Sequence, residues 1–104
     1  MLICGGADKN LDFKNLAPVI KKYAKAVVLL SGTATKKLTY NLQLTTYNLP
    51  VVHCNSMKEA VREASKLASR GDVVLLSPAA ASFGMFKNEF DRGDQFVKEV
   101  KNIN

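Results

Sequence analysis

Four short apolar runs punctuate the chain at near-regular intervals: MLIC at 1–4, AVVLLS at 26–31, PVVHC at 50–54 and DVVLLS at 72–77. Each is continuous rather than alternating, the pattern of a strand covered on both faces, and therefore of a parallel sheet with helices above and below it. The intervals between the runs carry a different period. Phe13, Leu16, Ala17, Ile20, Tyr23 and Ala24 fall at i, i+3, i+4, i+7, i+10 and i+11, one face of a helix, and Met57, Ala60, Val61, Ala64, Leu67 and Ala68 repeat that spacing. The second of these helices opens on Ser56-Met-Lys-Glu59, an S-x-x-E capping box, and is expected to close at Gly71. Leu38, Leu42 and Thr45 make a partial stripe that predicts a helix over 33–49. Phe96, Val97, Val100 and Ile103 predict a last helix, starting near Asp91 or Asp94.

The order β-α-β-α-β-α-β-α implies an α/β domain with right-handed crossovers, and 104 residues suffice for one core and one site. If the first three strands wind one way and the fourth returns to the other side of the first, the sheet order is 3-2-1-4. A crevice then opens at the carboxyl ends of strands one and four, which flank the reversal.

Those two ends carry the two least ordinary stretches of the sequence. Cys4-Gly5-Gly6-Ala7-Asp8-Lys9 follows strand one, and Ser77 to Phe90 follows strand four. Gly5 and Gly6 permit positive φ and close backbone approach, and Lys9 is a cation just beyond that turn. Ser82 supplies a hydroxyl, and the amides of 82–90 are further donors if a short helix begins there. Two donor clusters facing across a crevice suit a ligand with two negative ends, such as a small dicarboxylate. Taken singly, each feature also has a plainer explanation. Gly-Gly after a strand is commonly a turn, Lys9, Lys87 and Arg92 can be solvated, Ser82 can shape a turn, Asp8 and Asp12 can cap the first helix, and His53 suits a local hydrogen bond at a strand end. Neither GxGxxG nor GxxxxGK[ST] is present, so no dinucleotide or P-loop site is indicated.

Fifteen Lys and Arg against nine Asp and Glu give a net charge of +6, so the surface attracts anions. No basic run exceeds two residues and no aromatics interleave with the cations, so the pattern does not single out nucleic acid. No stretch approaches the roughly 18 apolar residues of a membrane span, and the start lacks the features of a signal peptide, so a cytoplasmic protein is expected. Cys4 and Cys54 end strands one and three, two strand spacings apart, too far to bridge, and two free thiols are expected. No CxxC or Cys/His cluster suggests zinc. No acidic cluster follows strand one and no Asp ends strand three, which argues against a receiver-type phosphorylation domain.

GGADKNLDF near the start and LLSPAAASFGMFKN…RGDQF near the end, with VVHCNSMKEAV and RGDVVLLSP between them, resemble the C-terminal domain of the UDP-N-acetylmuramoyl-L-alanine:D-glutamate ligases of the Mur ligase family. The likeness runs over nearly the whole chain. It implies a Rossmann-like three-layer sandwich and a cytoplasmic enzyme of three domains: one for the UDP-sugar substrate, one for ATP and magnesium, and a third that brings D-glutamate in peptidoglycan synthesis. Residues 1–104 correspond to the third alone, with the other two domains absent. The resemblance implies no cofactor in this domain, no nucleic-acid or membrane partner, a monomer, and an isolated piece that is inactive. It further implies that Lys9 pairs with a glutamate carboxylate, and that Ser82 and the backbone of Phe83 hold the substrate on the other side.

Four positions depart from the family pattern. Ala80 stands where SPACAS has Cys, and Gly84 where an Asp is common. Lys-Asn-Glu-Phe replaces Lys-Asn-Phe-Glu, so Glu89 occupies the place of an aromatic whose backbone amide reaches the substrate, with Phe90 beside it. A sister ligase adding another amino acid, Mur or folylpolyglutamate, and a stand-alone basic module for nucleotides or nucleic acid are the alternatives.

Overall fold

A computed structural model describes residues 1–7, 15–45, 49–78, 82 and 84–103. Four strands, β1 (Leu2–Gly5), β2 (Val27–Leu30), β3 (Val51–Cys54) and β4 (Leu75–Leu76), alternate with four helices, α1 (Leu16–Tyr23), α2 (Thr33–Thr45), α3 (Met57–Leu67) and α4 (Glu89–Lys101). Every pairing is parallel and the sheet order is β3-β2-β1-β4, as the alternation of periods predicted. The reversal of winding therefore lies between β1 and β4.

The pleat divides the core into two layers. Ile3, Val28 and Leu30 point toward Met57, Ala60, Val61 and Ala64 of α3, while Cys4, Val27 and Leu29 point toward Ala17 and Ile20 of α1 and Ala34, Leu38 and Leu42 of α2. Complete burial of each of these large aliphatic side chains contributes about 1.5–3 kcal/mol, so β1 and β2, sealed on both faces, carry most of the driving force.

The flanks do not share that environment. DVVLLS at 72–77 yields only a two-residue strand, with Val73 and Leu75 73% and 55% exposed, because β4 pairs on one side only and α1 is too short to cover it. Helix α1 stops at Tyr23, which was expected on the buried face and is instead 76% exposed beneath the Lys22 ammonium. Phe13 of the same predicted stripe lies outside the described residues, as do Asp8 and Asp12. Helix α2 covers Thr33–Thr45, and residues 46–48 of the predicted 33–49 lie outside the described residues.

The buried face of α3 matches its predicted spacing, and the hydroxyl of Ser56 accepts the Glu59 N–H at 3.1 Å. The reciprocal bond is displaced by one residue: Glu59 accepts from the Asn55 N–H, at 3.4 Å. The helix closes at Ala68, and Gly71, with φ +95°, turns the loop three residues later. Among the described residues, no helix is long and apolar enough to cross a membrane.

Cys4 and Cys54 are both free and buried, and they face opposite layers of the sheet. Burial pushes the Cys4 thiol up to about 12. Burial, with the Glu59 and Glu63 carboxylates nearby, pushes Cys54 up to about 11. Both values lie above that of an unfolded thiol, so the protonated forms stabilise the fold fully below about pH 8.5–9, and that contribution fades as pH rises toward 11–12. Thiol-disulfide reagents at pH 8 are expected to label neither cysteine in the native chain and both in urea. The melting temperature should fall above pH 9, with a shallower slope in Cys4→Ala. Labelling of the native chain at the unfolded rate would contradict this burial.

Candidate functional site

The two central strands leave the sheet through a pair of glycine turns packed backbone to backbone. A Cβ on Gly32, just after β2, would sit 2.1 Å from the Gly6 carbonyl oxygen and 2.7 Å from the Gly6 Cα. A Cβ on Gly5 (φ +101°) would meet the Leu30 carbonyl oxygen at 2.7 Å. Only hydrogen side chains fit at this seam. Hydrogen bonds then stitch it: the Ala34 N–H at the start of α2 donates to the Gly6 carbonyl at 2.8 Å, and the Thr35 hydroxyl accepts from the Gly6 N–H while donating to the Leu30 carbonyl.

On the other side of β1 the ladder outlasts β4. The Ser77 N–H donates to the Ile3 carbonyl at 3.1 Å, and the Gly5 N–H donates to the Pro78 carbonyl at 2.9 Å. The exits of β1 and β4 are therefore neighbours, as the strand order required.

The segment after β4 returns over this edge and is pinned there. Phe86 is buried among the side chains of the α3 layer, and its N–H closes a turn onto the carbonyl of Ser82, itself 9% exposed. Between them Gly84 adopts φ +96°, a backbone conformation that a residue with a side chain would strain. Helix α4 then begins at Glu89, earlier than expected, because Asn88 caps it. The Asn88 Oδ1 accepts the Asp91 N–H at 2.8 Å and the Asp91 carboxylate accepts the Lys87 N–H at 3.0 Å, which holds Asp91 below the usual carboxylate range.

This arrangement corrects one expectation. The amides of Phe86, Lys87 and Asp91 are consumed inside the turn and the cap, so they are not spare donors. By position, the orphan N–H groups are those of Glu89 and Phe90, the first two residues of α4.

An open hollow of about 680 Å³ lies at the carboxyl edge of the sheet, and none of Ser82, Glu89 and Phe90 lines it. Ala7 lines it from the first loop, Gly84 and Met85 from the last, and Ser31, Gly32, Thr33 and Asn55 from the edge between them. Of the five residues expected at a site, Lys9 and Phe83 lie outside the described residues, as does Ala80. Ser82 is buried at the base of the turn that carries Gly84. Glu89 and Phe90 open α4 and are exposed, Phe90 by 73%. His53 makes the local contact expected of it, 3.1 Å from the Thr39 hydroxyl.

Sequence reasoning missed the polar wall formed by Ser31, Thr33 and Asn55. Its signal was present in LLSGT, a strand followed by glycine and a helix-opening threonine, on the strand next to β1. The Ser31 hydroxyl bonds the Cys54 carbonyl at 3.1 Å and the Asn55 side chain, tying the exits of β2 and β3 together.

No protein-family model matches the chain. Whole proteins do. The UDP-N-acetylmuramoylalanine--D-glutamate ligase of Roseiflexus sp. (strain RS-1) is 48% identical over 104 residues, 99% of this chain and 22% of that protein. Proteins of the same name from Bordetella parapertussis and Acetivibrio thermocellus are 46% and 44% identical, again over 99% of this chain and over 20% and 23% of their own lengths. The chain belongs to this ligase family. It spans about a fifth of the length of the ligases it matches and corresponds to a C-terminal piece of them.

The glycine seam makes a quantitative expectation. Gly32→Ala should cost about 3 kcal/mol or more in urea denaturation, because backbone has to move. Gly71→Ala, also at positive φ but with nothing within 4 Å of its Cβ, should cost about 1–2 kcal/mol. Equal losses would show that the close approach of the two turns is not what Gly32 serves.

Proposed function

We propose that this chain is the amino-acid-positioning domain of an ATP-dependent ligase that joins D-glutamate to UDP-N-acetylmuramoyl-L-alanine in peptidoglycan synthesis. The observation that carries this reading is the 48% identity across 99% of the chain to a ligase of that name, in a fold where Ala7 after β1 and Gly84 and Met85 before α4 border one hollow. The common name of the relatives favours D-glutamate over the amino acids of sister ligases.

In this reading Lys9 meets one carboxylate of D-glutamate from the first exit. Ser82, the backbone of Phe83 and the leading amides of α4 at Glu89 and Phe90 meet the other. Because the α4 contacts are backbone N–H groups, a glutamate side chain at 89 is tolerated as long as it projects to solvent, and Glu89 is exposed. With both carboxylates held, the neutral amine is kept within about 3–3.5 Å of the activated carbonyl of the precursor, an acyl phosphate. The amine lone pair forms the new C–N bond, the C–O bond to phosphate breaks, and the amine loses its proton. This domain supplies position and helps exclude the water that would otherwise hydrolyse the acyl phosphate.

ATP and magnesium belong to the full-length ligase on this reading. Among the described residues, no group of three or more His, Cys, Asp and Glu could hold a metal ion, so no step is assigned to either group here. The ligase works in the cytoplasm, as a monomer, and the isolated domain is inactive because the other domains complete its site.

Calorimetric titration of the chain is expected to show weak binding of D-glutamate, with a Kd of roughly millimolar order, and weaker binding of L-glutamate. Equal affinity for the two enantiomers, or a preference for another amino acid, would overturn the assignment. In the full-length ligase, Lys9→Ala should raise the KM for D-glutamate far more than that for ATP, and an equal rise in both would remove Lys9 from the role.

A further inference from the structure

A second concavity lies between α3 and α4, on the outer side of the α3 layer, and shares no lining residue with the hollow at the carboxyl edge. Its volume is about 650 Å³, close to that of the hollow at the strand exits. Lys58, Arg62 and Lys66 stand along its α3 wall and Lys98 along its α4 wall, all exposed. Against these four cations the groove holds one carboxylate, Glu99. Among the described residues Lys58, Arg62 and Lys98 have no ion-pair partner, and Lys66 has only a long, exposed contact with Glu63 at 3.4 Å. A contact of that kind is worth little, so the field of all four cations is left to act on whatever enters.

The spacing narrows the class of ligand. Lys58, Arg62 and Lys66 fall at i, i+4 and i+8, one row on α3 with a rise of about 6 Å per step. Carboxylates at i, i+4 and i+8 of a partner helix repeat at that same interval. The groove adds a small apolar surface, Val61 at its base and Ile103, 41% exposed, at its end. That combination suits a helix with an acidic row beside an apolar one. Nucleic acid fits less well, because no aromatic side chain lines the groove for base stacking, and Glu99 would repel a continuous phosphate backbone.

We infer that the α3–α4 groove is a docking site for an acidic amphipathic helix of a protein partner, held by the Lys58–Arg62–Lys66 row and Lys98 around an apolar floor. The site is distinct from the hollow at the strand exits and does not depend on the ligase assignment.

The probe is a fluorescein-labelled, helix-stapled peptide of about 16 residues with glutamates at every fourth position on one side and leucines on the adjacent side, followed by anisotropy. Saturable binding that weakens as salt rises is expected. The double variant Lys58→Glu/Arg62→Glu should weaken it by about tenfold or more, and Lys98→Glu should weaken it as well. Lys21→Glu/Lys22→Glu on α1, with the same change in net charge on the opposite layer, should leave the affinity within about twofold. Retained melting temperatures would show that the variants fold. An equal loss in the α1 variant would reduce the effect to overall charge and overturn the site. So would unchanged affinity in the groove variants, or tighter groove-dependent binding of a single-stranded oligonucleotide of equal charge.

Discussion

The architecture depends on one close approach. Gly6 and Gly32 bring the exits of β1 and β2 into backbone contact, where even a methyl group would overlap a carbonyl. Because that seam is tight, the Gly6 carbonyl can take the Ala34 amide of α2 and the Thr35 hydroxyl can lie between the two strand ends. An interior packed like a crystal transmits such a constraint without slack. On its other side β1 reaches past the end of β4, where Pro78 receives the Gly5 N–H.

The opposite wall is fixed by another means. Phe86 buries its ring in the α3 layer and Asn88 and Asp91 lock the entry to α4, so the turn carrying Ser82 and Gly84 is held by a hydrophobic anchor with a helix cap just beyond it. The crowding of small, aromatic, basic and amide residues at 82–88 thus has separate causes: a reversal, an anchor and a cap. Among the described residues, the hollow is lined by small and polar side chains with no titratable group, and neither Ser82 nor the start of α4 lines it.

How legible this was in the sequence varies with the physics of each part. The central strands and α3 were readable because burial on both faces, or on one helical face, leaves a periodic record in Val28, Leu29, Met57, Ala60 and Ala64. The sheet order was readable because the connection lengths and the right-handed crossover rule leave few arrangements. Element ends were less so. Tyr23 continues a helical stripe yet stands in solvent, since the period says nothing about whether a neighbour exists to cover it. Val73 and Leu75 look like the runs in β1 and β2, yet edge pairing leaves them open. The start of α4 was misplaced because Asn88 was read as part of a substrate motif rather than as a cap. The wall of Ser31, Thr33 and Asn55 went unnoticed because each is an ordinary turn residue, and only their convergence in space gives them a common role.

The measurement closest to the central claim is amide chemical-shift mapping of the chain during addition of D-glutamate. Convergence of the strand exits on one ligand predicts concerted, saturable shifts at Gly5, Gly6, Ser82, Gly84 and the first residues of α4, smaller for L-glutamate. Shifts confined to the α3–α4 groove or the α1 face, or shifts at one exit that do not track those at the other, would contradict it.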